Sequence, residues 1–253
     1  MNEKEKIGFL LLHGFSGSPF EMEPVVNLLN HMGFKHIKCP VLPGHCEDIT
    51  SFKKTRFKDW VLSSEKEFLD LFHMGLKIIV IGLSMGGSIG MYLAERYPVA
   101  GLVTIASPVY LYRLFPFEGP SKLLPLIGIL RFIKPIVKTQ TSKEAKKIAP
   151  FGGYDGVYPL HPLHSFIKGL KNIRYNLPLI SCPLLVLHSP QDVSVPVSNA
   201  WEIITKVRSE IRKLELFPIM EQITSRHLLT THIETKHRVK KAIASFLQEI
   251  IQT

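Results

Sequence analysis

Residues 77–87 read Lys77-Ile78-Ile79-Val80-Ile81-Gly82-Leu83-Ser84-Met85-Gly86-Gly87, and the organisation of the chain follows from this stretch. Its first half is a short run of β-branched apolar residues, which is typical of a buried strand. A turn rich in glycine comes next, and apolar residues then recur with helical spacing from Ile89 to Tyr97. The stretch therefore predicts a buried strand that enters a helix through a tight turn, with Ser84 at its apex.

Glycines two positions before and two positions after Ser84 fit the pattern G-x-S-x-G. A serine on so sharp a turn takes a strained backbone conformation, so its close neighbours must lack a Cβ atom. Such a turn holds the serine Oγ out of the sheet, next to helical N–H groups that can bind a developing oxyanion. The pattern favours a nucleophilic serine, and an ordinary glycine-rich turn between a strand and a helix is the alternative.

Strands and helices alternate on both sides of this turn. We predict strands over residues 7–12, 36–41, 77–81, 100–106, 183–188 and 212–217, and helices over 18–32, 57–72, 85–97, 197–207 and about 234–251. This alternation predicts an α/β fold with a mostly parallel central sheet and helices on both faces.

The segment 111–178 differs from the rest of the chain in composition and in its pattern of elements. It holds eight of the eighteen prolines, shows no alternation of strands and helices, and carries eleven Lys and Arg against three acidic residues. We interpret it as an insertion at the carboxyl edge of the sheet. It divides the chain into a first core part, residues 1–110, the insertion, residues 111–178, and a second core part, residues 179–253.

The composition limits the classes of protein to which the chain can belong. A chain of 253 residues with 45% hydrophobic and 21% charged residues is typical of a globular protein with a sizeable core. We expect no membrane span and no secretory signal, because no uncharged apolar stretch is long enough. Three cysteines without a C-x-x-C pair predict a cytoplasmic location without disulfides. The net charge of +10 indicates a negatively charged partner or surface, but no base-reading element points to nucleic acid.

A serine hydroxyl needs a histidine to remove its proton, and that histidine needs an acid to hold its tautomer. In folds that carry this serine turn, the acid follows the serine in the chain and the histidine comes last. Only two aspartates follow Ser84. Asp155 has the neighbours of a surface turn, whereas Asp192 follows the predicted strand 183–188, at the strand end where α/β sheets place their sites. We choose Asp192 as the acid, although an Asp after a strand is more often a turn residue or a helix cap.

Three histidines lie beyond Asp192. His237 stands between two basic residues on a helix face that we expect to be solvated, and His232 comes just before the final helix, as a loop or cap residue would. His227 lies in the loop after the last predicted strand, which is where a base should reach the serine. We therefore predict His227 as the base, with His232 as the second candidate.

With these motifs in place, the chain resembles the bacterial carboxylesterase and monoacylglycerol lipase group of the α/β-hydrolase superfamily. The resemblance covers residues from about 7 to 247 and rests on three motifs: His13-Gly14-Phe15, Gly82-Leu83-Ser84-Met85-Gly86-Gly87 and Asp192-Val193-Ser194-Val195-Pro196. It implies an α/β-hydrolase fold in which the 111–178 segment is a small cap.

The same resemblance assigns roles to residues of this chain. Ser84 would be the nucleophile, Asp192 the acid and His227 the base. The backbone N–H groups of Phe15 and Met85 would form the oxyanion hole. Neither a metal nor an organic cofactor is implied.

The chain departs from the pattern of this group at two places. The group usually has Gly before the catalytic histidine, whereas this chain has Arg226, which could crowd the loop or disfavour the imidazolium. A loop that often reads G-H-G reads Gly44-His45-Cys46 here, and this change affects loop shape more than chemistry. We expect His13 to shape the oxyanion loop through side-chain hydrogen bonds rather than to react.

The predicted cap is rich in both apolar and basic residues. Its apolar residues suit an apolar wall over the serine, although most of them must also pack the cap onto the core. Lys122, Arg131, Lys134 and Lys138 interleave with the apolar run. One hypothesis is a lip that contacts an anionic lipid surface, where each basic residue contributes on the order of 1 kcal/mol. The alternative, which we favour, is a solvated basic face.

The sequence therefore predicts a serine carboxylesterase that hydrolyses monoesters with an apolar acyl group, monoacylglycerol-like by resemblance, through an acyl-enzyme. Two alternatives stay open. One is amide, thioester or carbon–carbon bond hydrolysis by the same three side chains. The other is a ligand-binding protein of the same fold without catalysis, because a fold alone does not fix function.

Overall fold

The structure is a computed structural model that describes residues 3–139 and 141–252. Four positions lie outside the described residues: 1, 2 and 253, at the ends of the two predicted core parts, and 140, in the 111–178 segment. In the described part, the strands are β1 (Ile7–Leu12), β2 (His36–Lys38), β3 (Lys77–Leu83), β4 (Gly101–Ile105), β5 (Ile136–Lys138), β6 (Val157–Pro159), β7 (Leu184–His188) and β8 (Arg212–Leu216). The α-helices there are α1 (Glu23–His31), α2 (Ile49–Lys54), α3 (Phe57–His73), α4 (Met85–Ala94), α5 (Ile127–Ile133), α6 (Lys143–Ile148), α7 (Leu160–Asn176), α8 (Ser198–Lys206) and α9 (Lys236–Gln252).

Six of these strands form one parallel sheet in the order β2-β1-β3-β4-β7-β8. The register places Leu12 opposite Gly82 and Leu83 opposite Ile105, so the carboxyl ends of β1, β3 and β4 meet at one edge. A parallel sheet needs helical crossovers, and these cover both of its faces. The predicted α/β fold with a mostly parallel sheet is confirmed.

The core has two layers, one on each face of the sheet. Phe9 and Leu11 of β1 face one layer with α1 and α9, and Leu10 and Leu12 face the other with α3, α4, α7 and α8. Because successive side chains of a strand point to opposite faces, an unbroken apolar run serves both layers at once. This double burial explains why β1, β3 and β7 contain almost no polar residues.

Local sequence signals account for most element boundaries. Ser18 caps a short 3-10 turn, Pro19–Met22, with its side chain, and Glu21 completes a capping box before α1 begins. The second strand is shorter than predicted and ends at Lys38, two residues before Pro40, which has no N–H to donate to a ladder. Helix α2, capped by Asp48, was not predicted.

The segment 111–178 lies between β4 and β7, which are neighbours in the sheet. It contains more regular structure than predicted, namely helices α5, α6 and α7 and the antiparallel pair β5–β6. Its last helix, α7, buries Phe166, Leu170 and Ile173 in the same core layer as α3. The prolines concealed this helix, because Pro162 falls in its first turn, where a missing N–H costs no helical hydrogen bond.

No helix within the described ranges is long and apolar enough to cross a bilayer.

Candidate active site

Ser84 stands on the turn between β3 and α4 with φ 54° and ψ −119°, a conformation that an L-residue rarely adopts. A Cβ atom on Gly82 would lie 2.2 Å from the backbone carbonyl carbon of Gly86, and a Cβ atom on Gly86 would lie 2.0 Å from the carbonyl oxygen of Leu12. Both glycines are therefore required by close backbone approach. Strain of this kind costs about 1–3 kcal/mol and persists where the surrounding structure imposes it.

The loop after β1 lies directly against Ser84. A Cβ atom built on Gly14 would be 3.2 Å from the Cβ and 3.8 Å from the Oγ of Ser84. Phe15 follows Gly14 in the chain, and Met85, the first residue of α4, follows Ser84. Neither the Phe15 N–H nor the Met85 N–H donates a hydrogen bond within the described part of the chain, so both donors are available to an oxyanion beside Ser84.

His13 and His45 support this loop from inside the protein. His13 donates from Nδ1 to the carbonyl of Gly14 (3.0 Å) and accepts at Nε2 from the N–H of Leu42 (3.2 Å). Burial, and then the neighbouring His45, lowers the pKa of His13 to about 3, so the ring is neutral at neutral pH. The structure thus contains the side-chain hydrogen bonds that were predicted for His13.

Asp192 lies in the loop that follows β7, and its side chain is completely buried. Its Oδ1 accepts the backbone N–H groups of Ser194 (2.8 Å) and Val195 (2.9 Å). Its Oδ2 lies 2.6 Å from Nδ1 of His227. Because a carboxylate only accepts, the proton lies on Nδ1, which leaves Nε2 of a neutral His227 free to accept a proton.

The loop that carries His227 is held by Glu221. This carboxylate accepts the N–H groups of Ile223 (2.5 Å) and Thr224 (2.9 Å), the Thr224 hydroxyl, and Nε2 of the buried His232 (3.0 Å). Burial alone would raise the pKa of Glu221, but the hydrogen bonds from Thr224 and His232 lower it to about 2.

The other candidates lie elsewhere. His232 has both ring nitrogens engaged, because Nδ1 accepts the N–H of Glu234 while Nε2 donates to Glu221. His237 is exposed on α9. Asp155 pairs with Lys146 at 2.7 Å rather than with a histidine. Among the histidines of the described residues, only His227 lies within 3 Å of the Asp192 carboxylate.

Ser84 and His227 line one cavity of about 790 Å³. No hydrogen bond joins Ser84 to His227 in this structure; such bonds are often long without substrate. Residues of the 111–178 segment supply most of the wall. Apolar side chains of the wall include Leu111, Leu124, Ile127, Leu130, Leu163 and Phe166, and polar ones include Thr139, Thr141, Ser142, Lys146, Asp155 and Tyr158.

Among the described residues, no group of three or more His, Cys, Asp or Glu side chains is arranged to hold a metal ion.

Residues 6–221 match a family of hydrolases described as "Serine aminopeptidase, S33". The chain belongs to this family. The match covers the turn at Ser84 and the loop of Asp192, and it ends before His227. The family is part of the α/β-hydrolase superfamily, so the resemblance inferred from the motifs is confirmed.

Individual relatives are enzymes named for ester hydrolysis. The chain is 30% identical to the thermostable monoacylglycerol lipase of Bacillus sp. (strain H-257) over 216 residues, which are 84% of this chain and 82% of that protein. It is 22% identical to the carboxylesterase of Bacillus subtilis (strain 168) over 242 residues, 95% of this chain and 92% of the relative. These matches confirm the predicted enzyme class, a carboxylic ester hydrolase.

A solved structure reported with "LipS and LipT, two metagenome-derived lipolytic enzymes" superimposes with a TM-score of 0.81. It shares 22% sequence identity, and the match covers 96% of this chain and 94% of the other. At this identity the likeness establishes the α/β-hydrolase fold.

Proposed function

We propose that this family member is a serine esterase that cleaves monoesters with an apolar acyl group, with Ser84 as nucleophile, His227 as base and Asp192 as acid. The observation that carries the proposal is the 2.6 Å contact between Asp192 Oδ2 and His227 Nδ1, on a loop that lines the same cavity as Ser84. That contact orients the imidazole so that its second nitrogen is a proton acceptor.

The reaction would proceed in two stages. His227 Nε2 removes the proton of the Ser84 hydroxyl as Oγ attacks the ester carbonyl, and the N–H groups of Phe15 and Met85 stabilise the tetrahedral oxyanion. His227 then protonates the departing alcohol, which leaves an acyl-enzyme. Water, activated by the same histidine, attacks the acyl group and regenerates Ser84.

The 111–178 segment acts in this proposal as the cap that shapes the substrate cavity. Its apolar side chains Leu124, Ile127 and Leu130 line the cavity and would contact an acyl chain. The polar side chains Thr139 and Asp155 line the same cavity and would face the alcohol part of the ester. A monoacylglycerol-like ester has this division, and the monoacylglycerol lipase among the relatives supports the choice.

A series of p-nitrophenyl esters of increasing acyl length tests the proposal. We expect hydrolysis by the wild type with a length optimum set by the cavity, and none by Ser84→Ala. A fluorophosphonate probe should label the wild type and leave Ser84→Ala unlabelled. Ester hydrolysis by Ser84→Ala at the wild-type rate would refute the assignment, and esters that stay inert while amides or thioesters are cleaved would change the substrate class.

We also propose that the cap contacts an anionic lipid surface. Helix α5 and its flanks expose Ile129, Phe132 and Ile133, of which Phe132 is 68% and Ile133 75% exposed. None of the three lines the cavity. A cluster of exposed apolar side chains of this kind is typical of an interaction site.

A basic cluster adjoins these apolar residues. Arg131 lies 2.7 Å from Nδ1 of His164, and its guanidinium stacks on the ring of Phe132. Partial burial, and then the charges of Arg56 and Arg131, lowers the pKa of the nearby His161. The fold thus brings cations of the core and of the cap to one place, next to apolar groups that can enter the interface.

Vesicle sedimentation distinguishes a cap that contacts an anionic lipid surface from a cap whose basic face is only solvated. We expect binding to vesicles that contain phosphatidylglycerol, weak binding to pure phosphatidylcholine, and loss of binding in Ile133→Ser. Trp201→Ser, which changes an exposed aromatic residue on α8, is the control and should bind as the wild type does. Equal binding of wild type and Ile133→Ser, or equal binding to both lipids, would contradict the proposal.

We propose a cytoplasmic location, because the three cysteines form no C-x-x-C pair and no disulfide framework in the sequence. Cell fractionation that recovers the protein in another compartment would contradict this placement.

A further inference from the structure

A second buried histidine lies beside the acid. His188 is the last residue of β7 and is fully buried. Its Nε2 donates to the carbonyl oxygen of Val195 at 3.0 Å and lies 3.6 Å from Oδ2 of Asp192. Its Nδ1 is buried and has no hydrogen-bond partner. The carbonyl acceptor fixes the proton of a neutral His188 on Nε2, the nitrogen that faces Asp192.

Two histidines therefore lie next to the same carboxylate oxygen. Oδ2 of Asp192 is contacted by His227 at 2.6 Å and approached by His188 at 3.6 Å, while Oδ1 is held by two backbone N–H groups. Val195 connects these interactions, because its N–H donates to Asp192 and its carbonyl accepts from His188. The ring of His188 thus holds the turn that holds the acid.

We propose that His188 is a positioning residue, which fixes the Asp192 carboxylate and directs an N–H dipole at the oxygen that binds His227. The inference rests on the proposed roles of Asp192 and His227. The dipole stabilises the negative charge of Asp192 and so moderates the pull of that charge on the proton of His227. The hydrogen bond to Val195 keeps the carboxylate in the plane and direction that the base requires.

The role requires a neutral ring. Burial lowers the pKa of His188; the ionisable groups that act on the ring are Asp192, which opposes this, and His227, which adds to it. At neutral pH the ring therefore carries one N–H. A positively charged His188 would compete with the His227 imidazolium for the same oxygen.

The test compares His188→Gln, whose Nε2 keeps a donor near the original position, with His188→Met, which has similar length and no donor. In His188→Met we expect kcat to fall roughly tenfold to a hundredfold with KM unchanged, since the acyl-binding wall is not touched. We expect the pKa of His227 to rise by about half a unit to one unit, because the N–H dipole is lost. His188→Gln should stay close to the wild type in both.

The pKa of His227 is read by NMR of labelled histidine in a Ser84→Ala background, so that it does not depend on turnover. With Ser84→Ala present in both proteins, a His227 titration that is the same with and without His188→Met would overturn the inference, as would equal effects of Met and Gln. Neither result bears on Ser84, whose role fails only if Ser84→Ala keeps its activity.

The wild type supplies a measurement that needs no substitution at position 188. Nitrogen chemical shifts should show the His188 proton on Nε2 throughout the titration of His227. A proton on Nδ1 would overturn the inference, because the ring could not then donate towards Asp192.

Discussion

Oδ2 of Asp192 and Nδ1 of His227 lie 2.6 Å apart although the two residues are 35 positions apart in the chain. The carboxylate is fully buried and receives two backbone N–H groups on its other oxygen. A charge so placed is expensive to bury and is stabilised by these contacts. The pair thus fixes both the tautomer and the orientation of His227.

Asp192→Asn tests whether this contact matters for the tautomer. The amide keeps the shape of the side chain, but it offers an N–H where His227 needs an acceptor. We expect kcat for a short p-nitrophenyl ester to fall about 10³- to 10⁴-fold. Asp70→Asn, which changes an exposed aspartate that pairs with Lys38, is the control. A loss of this size in Asp155→Asn, with none in Asp192→Asn, would reverse the choice of acid.

Alanine substitutions of the two candidate histidines should differ in their effects on activity and stability. His227→Ala should lower kcat about 10³-fold or more, because the proton acceptor is lost, in a protein that stays folded, since Ser194 and Val195 still donate to Asp192. His232→Ala should lower the melting temperature, because it leaves Glu221 without a buried partner, and retain measurable activity in the folded protein. Steady-state kinetics and thermal unfolding of both variants decide, and an inactive, stably folded His232→Ala would contradict the assignment of the base.

Gly86 tests the close approach behind the serine turn. A Cβ atom at this position would lie 2.0 Å from the carbonyl oxygen of Leu12, so Gly86→Ala should destabilise the protein by about 3 kcal/mol. Gly128→Ala is the matched control, because its Cβ would meet only Nε2 of His164, at 3.7 Å. In helix α5 this control should gain up to about 1 kcal/mol. Urea unfolding measures both, and equal stability of the two variants would refute the explanation.

Arg226 carries backbone strain directly before the base. Its φ is +56°, in the left-handed region that favours glycine, and its buried Nε has no hydrogen-bond partner. The glycine that the family resemblance implies at this position would relieve the strain. We expect Arg226→Gly to raise the free energy of unfolding by about 0.5–1 kcal/mol, or the melting temperature by about 2–4 °C. A lower melting temperature would show that the arginine stabilises the loop.

The lowered pKa of Glu221 predicts how the stability of the protein depends on pH. Hydrogen bonds lower its pKa from 4.5 to about 2 in the folded protein, so its contribution to stability is present above pH 4.5 and is lost as the pH falls towards 2. Glu221→Gln should therefore destabilise the protein at pH 7 and flatten the acid limb of a stability-against-pH curve. Glu210→Gln, at an exposed carboxylate, is the control. A slope in Glu221→Gln equal to that of the wild type would contradict this account.

Local patterns in the sequence determined the sheet and the serine turn. The strand at 77–83 and the helix after it could be predicted because apolar periodicity and paired glycines act within a few residues. The same patterns suggested Ser84, directly after a buried strand, and Asp192, in the loop after another. The regular structure of the 111–178 segment was missed, because its proline-rich sequence gives no clear local period and α7 forms by packing on α3.

Only the tertiary structure decided which histidine contacts the acid. His227 and His232 are five positions apart and both precede the last helix. The sequence favoured His227 by its place in the loop after the last strand, but no local pattern shows which ring reaches Asp192. Their difference comes from their partners: Asp192, 35 positions away, for His227, and the Glu221 carboxylate of the same loop for His232. The same holds for His188, which looks like the polar end of a strand until the fold places it 3.6 Å from Asp192. Sequence periodicity reports which side of an element is buried, whereas the pairing of side chains across loops is set by how the elements pack.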